Sequence, residues 1–224
     1  MSSDTAHAID PAIDPAIDHE MDHVPGHVVH VDPETGKTGM WLFLFTELLL
    51  FGGLFLIYGV YRSMNEGAFH HAAAELNVAM GVTNTIVLLT SSLTMVMAVN
   101  ALQRNQVGRS LGFLTSTLAL SATFLVIKYF EWSAKYHHGI FPGMDHLHEL
   151  PHGEGLFFNL YFMMTGLHGL HVIIGMIVML VVLFKIRSGA LAADNHGMLE
   201  YTGLYWHLVD LVWIFLLPLF YLTT

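Results

Sequence analysis

The stretch YWHLVDLVWIFLLPLFYL, residues 205–222, decides the fold. It is apolar and long enough to cross a bilayer as a helix, for which about 20 residues suffice. It nevertheless carries an imidazole, His207, and a carboxylate, Asp210, three positions apart and hence on one helix face. Ionisable groups within a span are costly, so each one implies a partner on a neighbouring helix or a part in chemistry.

Four similar apolar segments precede it, and together the five run roughly over 40–62, 77–102, 111–133, 156–185 and 199–222. Lipid cannot satisfy open backbone groups, and the runs are too long for barrel strands, so helices are the expected spanning structure. The fold class is therefore all-α: a polytopic membrane protein, a bundle of five transmembrane helices at 39–224 behind an N-terminal tail at 1–38. In that tail AIDPAIDPAIDH, residues 8–19, repeats a four-residue unit, and EMDHVPGHVVHVDPETGKTG, residues 20–39, lacks sustained apolar periodicity. Such a segment reads as disordered and aqueous. It has no basic region followed by an apolar run, so it reads as neither a cleavable signal nor a transit peptide.

Composition agrees: 54% of residues are hydrophobic and 12% charged, and the mean hydropathy is +0.56, against about 25% charged residues in soluble domains. The absence of cysteine excludes disulfides and any thiolate-held cluster, zinc or copper centre. A formal charge of −10, concentrated in the tail and loops, argues against a nucleic-acid partner.

The basic residues set the expected orientation. With five spans, the tail, QRNQVGRS (103–110) and KIRSGALAADNHG (185–197) share one side and hold Lys37, Arg104, Arg109, Lys185 and Arg187. The opposite side holds Arg62, Lys128 and Lys135. The positive-inside rule then puts the N-terminus in the cytoplasm and the C-terminus outside. Small residues recur within the spans, in FGGLF, TSSLT, TSTLALSAT and GLHGLHVIIG. Ordinary close packing of helices accounts for them.

Each intramembrane polar group has a structural reading and a chemical one. Glu47 has no basic neighbour on its own helix, so it is protonated, water-linked or paired with another helix. Glu131 follows Lys128 by three residues, the spacing of a stabilising pair. His168 and His171 lie one turn apart; neutral imidazole can ligate haem or copper, and His207 would be the partner on the last span. Hydrogen bonding across helices is the preferred reading, with Asp210 and Glu200 as acceptors. It predicts one buried polar network joining the last two spans, flanked by Trp206 and Trp213. His19, His23 and His27 in the tail, and His137, His138, His146, His148 and His152 in the third loop, read as members of solvated, acid-rich segments. Weak copper or zinc binding is the alternative, but neither cluster has a compact ligand spacing.

TGLHGLHVIIG (165–175) and YWHLVDLVWIFLLPLFYL resemble the two most recognisable segments of subunit III of haem-copper terminal oxidases, in the right order and at about the right separation. WLFLFTELLLFGGLF (41–55), ELNVAMGVTNTIVLLTSSLT (75–94) and KYFEWSAKY (128–136) match further, placing Glu47 and Glu131 on carboxylates characteristic of the family; Glu200 fits the acidic residue ahead of the YWH motif. The resemblance runs from about Gly39 to the C-terminus.

It implies a chain without catalytic residues, metal or redox centres of its own, in a bacterial inner membrane. Such a subunit packs beside subunit I, which holds haem and copper, and with subunit II. It supports stability and the supply of protons and oxygen, and it binds phospholipid. A supercomplex with a quinol-oxidising complex is a further implied association. Carried over from the family, Phe43, Lys185 and Arg187 are candidate lipid contacts, and the basic pair suits anionic headgroups.

Longer members have two helices ahead of the segment matched by residues 40–62, where this chain has a polar tail. Five-helix members occur among quinol oxidases, cytochrome oxidases and proteins associated with nitric oxide reductase, so the electron donor stays open. The rival readings are a self-contained membrane cytochrome using His168, His171 and His207, and a proton-coupled transporter using Glu47 and Asp210. The first lacks four axial ligands at paired depths, and the second lacks inverted repeats or broken helices.

Overall fold

The computed structural model describes residues 33–144 and 150–222, and every regular element among them is an α-helix. They are α1 (Pro33–Met64), α2 (Glu66–Ala74), α3 (Val78–Gln103), α4 (Val107–His137), α5 (His152–Arg187) and α6 (Gly197–Tyr221). Five of them are long and apolar enough to cross a membrane, and the exception is the nine-residue α2. The expected order of five spans is therefore present. His19, His23, His27, His146 and His148, with most of the predicted tail, lie outside the described residues.

The helices overrun the apolar segments because hydrogen bonding continues after hydropathy stops. α1 opens at Pro33, a residue whose fixed φ and missing N–H suit the first helical position. α5 has 36 residues, about 54 Å at the usual rise, well beyond the roughly 30 Å of a hydrocarbon core. Asn77 caps α3 by accepting from the Met80 backbone N–H. The α3–α4 connection turns through Asn105 at φ 59°, a left-handed position that asparagine tolerates.

α2 lies in what the sequence presents as a loop. Its apolar face, Phe69, Ala72 and Ala73, is buried, and Phe69 meets Tyr58 of α1 and Phe157 of α5 edge-on at 5.5 and 5.4 Å. Gly153 is needed beneath it, since a Cβ there would stand 2.6 Å from that of Ala68.

α6 is the axis of the bundle. Half of its most apolar 18-residue window is buried within the chain, against 11% for α1. α3 and α4 pair most extensively, α3 and α5 flank α6, and α1 touches the rest sparsely. The close α5–α6 crossing depends on Gly175, where a Cβ would stand 2.9 Å from the Trp206 ring. Pro218 does not end α6, which continues to Tyr221, and the Tyr58 hydroxyl donates to the nearby Leu219 carbonyl.

Candidate functional site

α4 places Lys128 and Glu131 one turn apart, and α5 and α6 bring Tyr161 and Tyr221 onto them. Lys128 Nζ donates to Glu131 Oε2 at 3.0 Å and to the Tyr221 and Tyr161 hydroxyls at 3.0 and 3.1 Å. The Tyr221 hydroxyl donates to Glu131 Oε1. Lys128 Nζ also stands 5.0 Å from the ring centres of Tyr161 and Trp213, a contact worth up to about 2 kcal/mol when desolvated. Lys128 and Glu131 are only 7% and 4% exposed, and this pairing is what makes their burial tolerable.

A second cluster ties α1 to α5. His171 Nδ1 lies 2.8 Å from the Leu167 carbonyl, which can only accept, so Nδ1 carries hydrogen. Nε2 lies 2.9 Å from Glu47 Oε2. One proton therefore sits between Glu47 and His171: an imidazolium beside a carboxylate, or an imidazole beside a carboxylic acid. The Phe51 ring packs edge-on to His171, and the Tyr205 hydroxyl donates to the His171 carbonyl.

The third set forms a ladder along the antiparallel α3–α6 seam. Trp213 Nε1 donates to Thr85 Oγ1 at 3.0 Å and Trp206 Nε1 to Ser91 Oγ at 2.9 Å. His207 Nδ1 meets Ser92 Oγ at 2.7 Å, and Gln103 Nε2 donates to Glu200 Oε1 at 2.7 Å. Glu200 also meets His196 Nε2 at 3.1 Å. In TSSLT, read from sequence as packing, Ser91 and Ser92 thus serve the Trp206 indole and the His207 imidazole of α6, while Thr94 meets Thr117 of α4.

The residues expected to form one network are accordingly distributed among separate clusters. Glu47 rather than Asp210 or Glu200 engages His171, because the α5 face bearing His171 meets α1 as well as α6. His168 is fully buried with both ring nitrogens unpartnered, held between Phe124 and Trp213 at ring distances of 5.6 and 5.3 Å. Asp210 is 3% exposed and neither carboxyl oxygen has a hydrogen-bond partner. Tyr161 and Tyr221 were not singled out from sequence, where tyrosine near a helix end is an ordinary interfacial residue.

No three or more His, Asp or Glu side chains gather to hold a metal among the described residues. The three imidazoles offered to a haem face Glu47, Ser92 and a pair of aromatic rings. His137, His138 and His152 lie exposed at helix ends.

Phe43 borders an apolar groove of about 260 Å³ between α1, α5 and α6, with Met198 and Tyr205 in its wall. Lys185 Nζ reaches Met198 Sδ at 3.5 Å, so the cation stands near one end of this groove. Arg187 is exposed at the same end of α5.

This geometry defines a helical membrane bundle whose interior is braced by paired polar clusters. The family model for cytochrome c oxidase subunit III matches residues 17–224, and the chain belongs to that family. A cytochrome c oxidase subunit 3 from Thermostichus vulcanus is 32% identical over 200 residues, covering 87% of this chain and 90% of the relative. The cytochrome bo(3) ubiquinol oxidase subunit 3 of Pseudomonas aeruginosa is 29% identical over 201 residues, covering 86% and 88%. A heme-copper oxidase subunit I+III from Aeropyrum pernix is 31% identical over 193 residues; the match covers 83% of this chain and 22% of that longer relative. The family expected from the two signature segments is the one found.

Proposed function

We propose that this chain is the non-catalytic third subunit of a respiratory haem-copper oxygen reductase in a bacterial cytoplasmic membrane. It packs against subunit I, which carries haem and copper, in a complex that includes subunit II. The N-terminus and the α3–α4 and α5–α6 connections face the cytoplasm, as their Arg and Lys residues favour. The observation that carries this reading is the match of residues 17–224 to cytochrome c oxidase subunit III; several interior polar groups brace helices beside it, Glu131 with Lys128 and Tyr221, Glu47 with His171, and His207 with Ser92. A relative whose name joins subunits I and III supports their adjacency.

Its work is to stabilise the catalytic subunit and sustain its proton and oxygen supply, with phospholipid held beside it. The groove at Phe43, with Lys185 nearby and Arg187 on the same helix end, suits an acyl chain below an anionic headgroup. The test compares the complex purified with and without this chain. Unchanged haem spectra with shorter-lived turnover are expected when it is absent. Loss of a haem signal with the chain would instead make it a cytochrome.

A further inference from the structure

We propose that Asp210 is a proton-storing carboxylic acid, charged and discharged from one membrane surface through a hydrated cleft between α3 and α6. The cleft has a volume of about 360 Å³, room for several waters at about 30 Å³ each. Gln103 and Glu200 stand at its mouth, Asn100 on its wall and His207 at its deep end. From Glu200 to His207 is two helical turns, about 10 Å into the bilayer. Val96, Val99, Gly203 and Leu204 complete the lining, and the two amides, the carboxylate and the imidazole among them offer water its hydrogen-bond partners.

Below the cleft, the first link of the relay is formed. His207 Nδ1 is bonded to Ser92 Oγ, leaving Nε2 for the cleft. Ser92 in turn stands beside the Asp210 carboxyl without completing a hydrogen bond to it. A serine hydroxyl both donates and accepts and rotates freely enough to serve either neighbour in turn. Among the described residues no opposite charge pairs with Asp210, and His168, though unpartnered, is enclosed between the Phe124 and Trp213 rings. Lys128 is held by Glu131, and Glu47 and His171 hold each other. A lone buried carboxylate is far costlier than its acid, so the group resides as the protonated form and ionises transiently.

The transfer balances without a redox partner. A hydronium ion arriving in the cleft gives a proton to His207 Nε2 and becomes water, and the Nδ1 proton passes to Ser92 Oγ. The serine releases its own hydroxyl proton to the Asp210 carboxylate. The reverse sequence empties the site and restores the starting tautomer.

The test follows the carboxylic C=O stretch of Asp210 by infrared difference spectroscopy after transfer of the purified complex, in lipid nanodiscs, from H2O to D2O. The band is assigned by its loss in Asp210→Asn. We expect the native band to shift on exchange. His207→Phe should slow that shift at least about tenfold, within the factor of about 10² to 10⁴ that a positioned imidazole contributes to proton transfer. Val99→Phe, which plugs the cleft while leaving the relay residues intact, should slow it similarly and serves if His207→Phe does not assemble. An Asp210 that shows no carboxylic acid band would overturn the proposal. So would a native band that never exchanges, or exchange at an unaltered rate in an assembled complex carrying either substitution.

Discussion

The two ends of α6 handle polarity inside a membrane in opposite ways. At the end bearing Tyr221, Lys128 and Glu131 are buried among aromatic rings and satisfied almost wholly by each other and by Tyr161 and Tyr221. At the other end, Glu200 and His207 are paired on one side and open to a cleft on the other. A closed cluster fixes which helices meet and in what register. An open one stays in exchange with water.

The comparison breaks most sharply at the closed end. Glu131→Ala leaves Lys128 buried beside two hydroxyls, and a stability loss of about 3–5 kcal/mol is expected, read as a fall in the thermal midpoint of the complex. Converting both partners, Lys128→Met with Glu131→Gln, should recover much of it, since an apolar replacement of a buried pair is often neutral. Next comes Gly175→Leu, which drives a side chain into the space held by Trp206 and Tyr205. The expected loss is about 1–3 kcal/mol, with weakened retention of the chain in the complex on detergent washing.

Glu47→Ala removes the partner of His171 Nε2 at a cost of about 1–3 kcal/mol. It should shorten sustained turnover with haem spectra intact; loss of a haem would refute that role. The smallest effect belongs to the open end. In His207→Leu, Ser92 loses its partner at a site water can reach, and about 0.5–1.5 kcal/mol is expected. A penalty equal to that of Glu131→Ala would erase the distinction between the two ends.

Length and hydropathy carried the five helices, and two segments carried the family. The pairing of polar residues was less legible. The three-residue spacing of Lys128 and Glu131 places them on one face, but Tyr161 and Tyr221 reach them from other helices. Glu47 and His171 stand 124 positions apart, and only the lateral arrangement of α1 and α5 brings them together. α2 escaped the reading because nine residues with one buried face give too short a pattern. Ser91 and Ser92 were visible as polar residues in an apolar span, yet their bonds to Trp206 and His207 depend on the α3–α6 register.

The most direct test of the assignment to a multi-subunit oxidase is native mass spectrometry, with haem spectra, of whatever is retained when this chain is purified in mild detergent. A polytopic partner carrying haem and copper, present in fixed ratio, is the expected result. A chain released alone, folded and itself bearing haem, would contradict it.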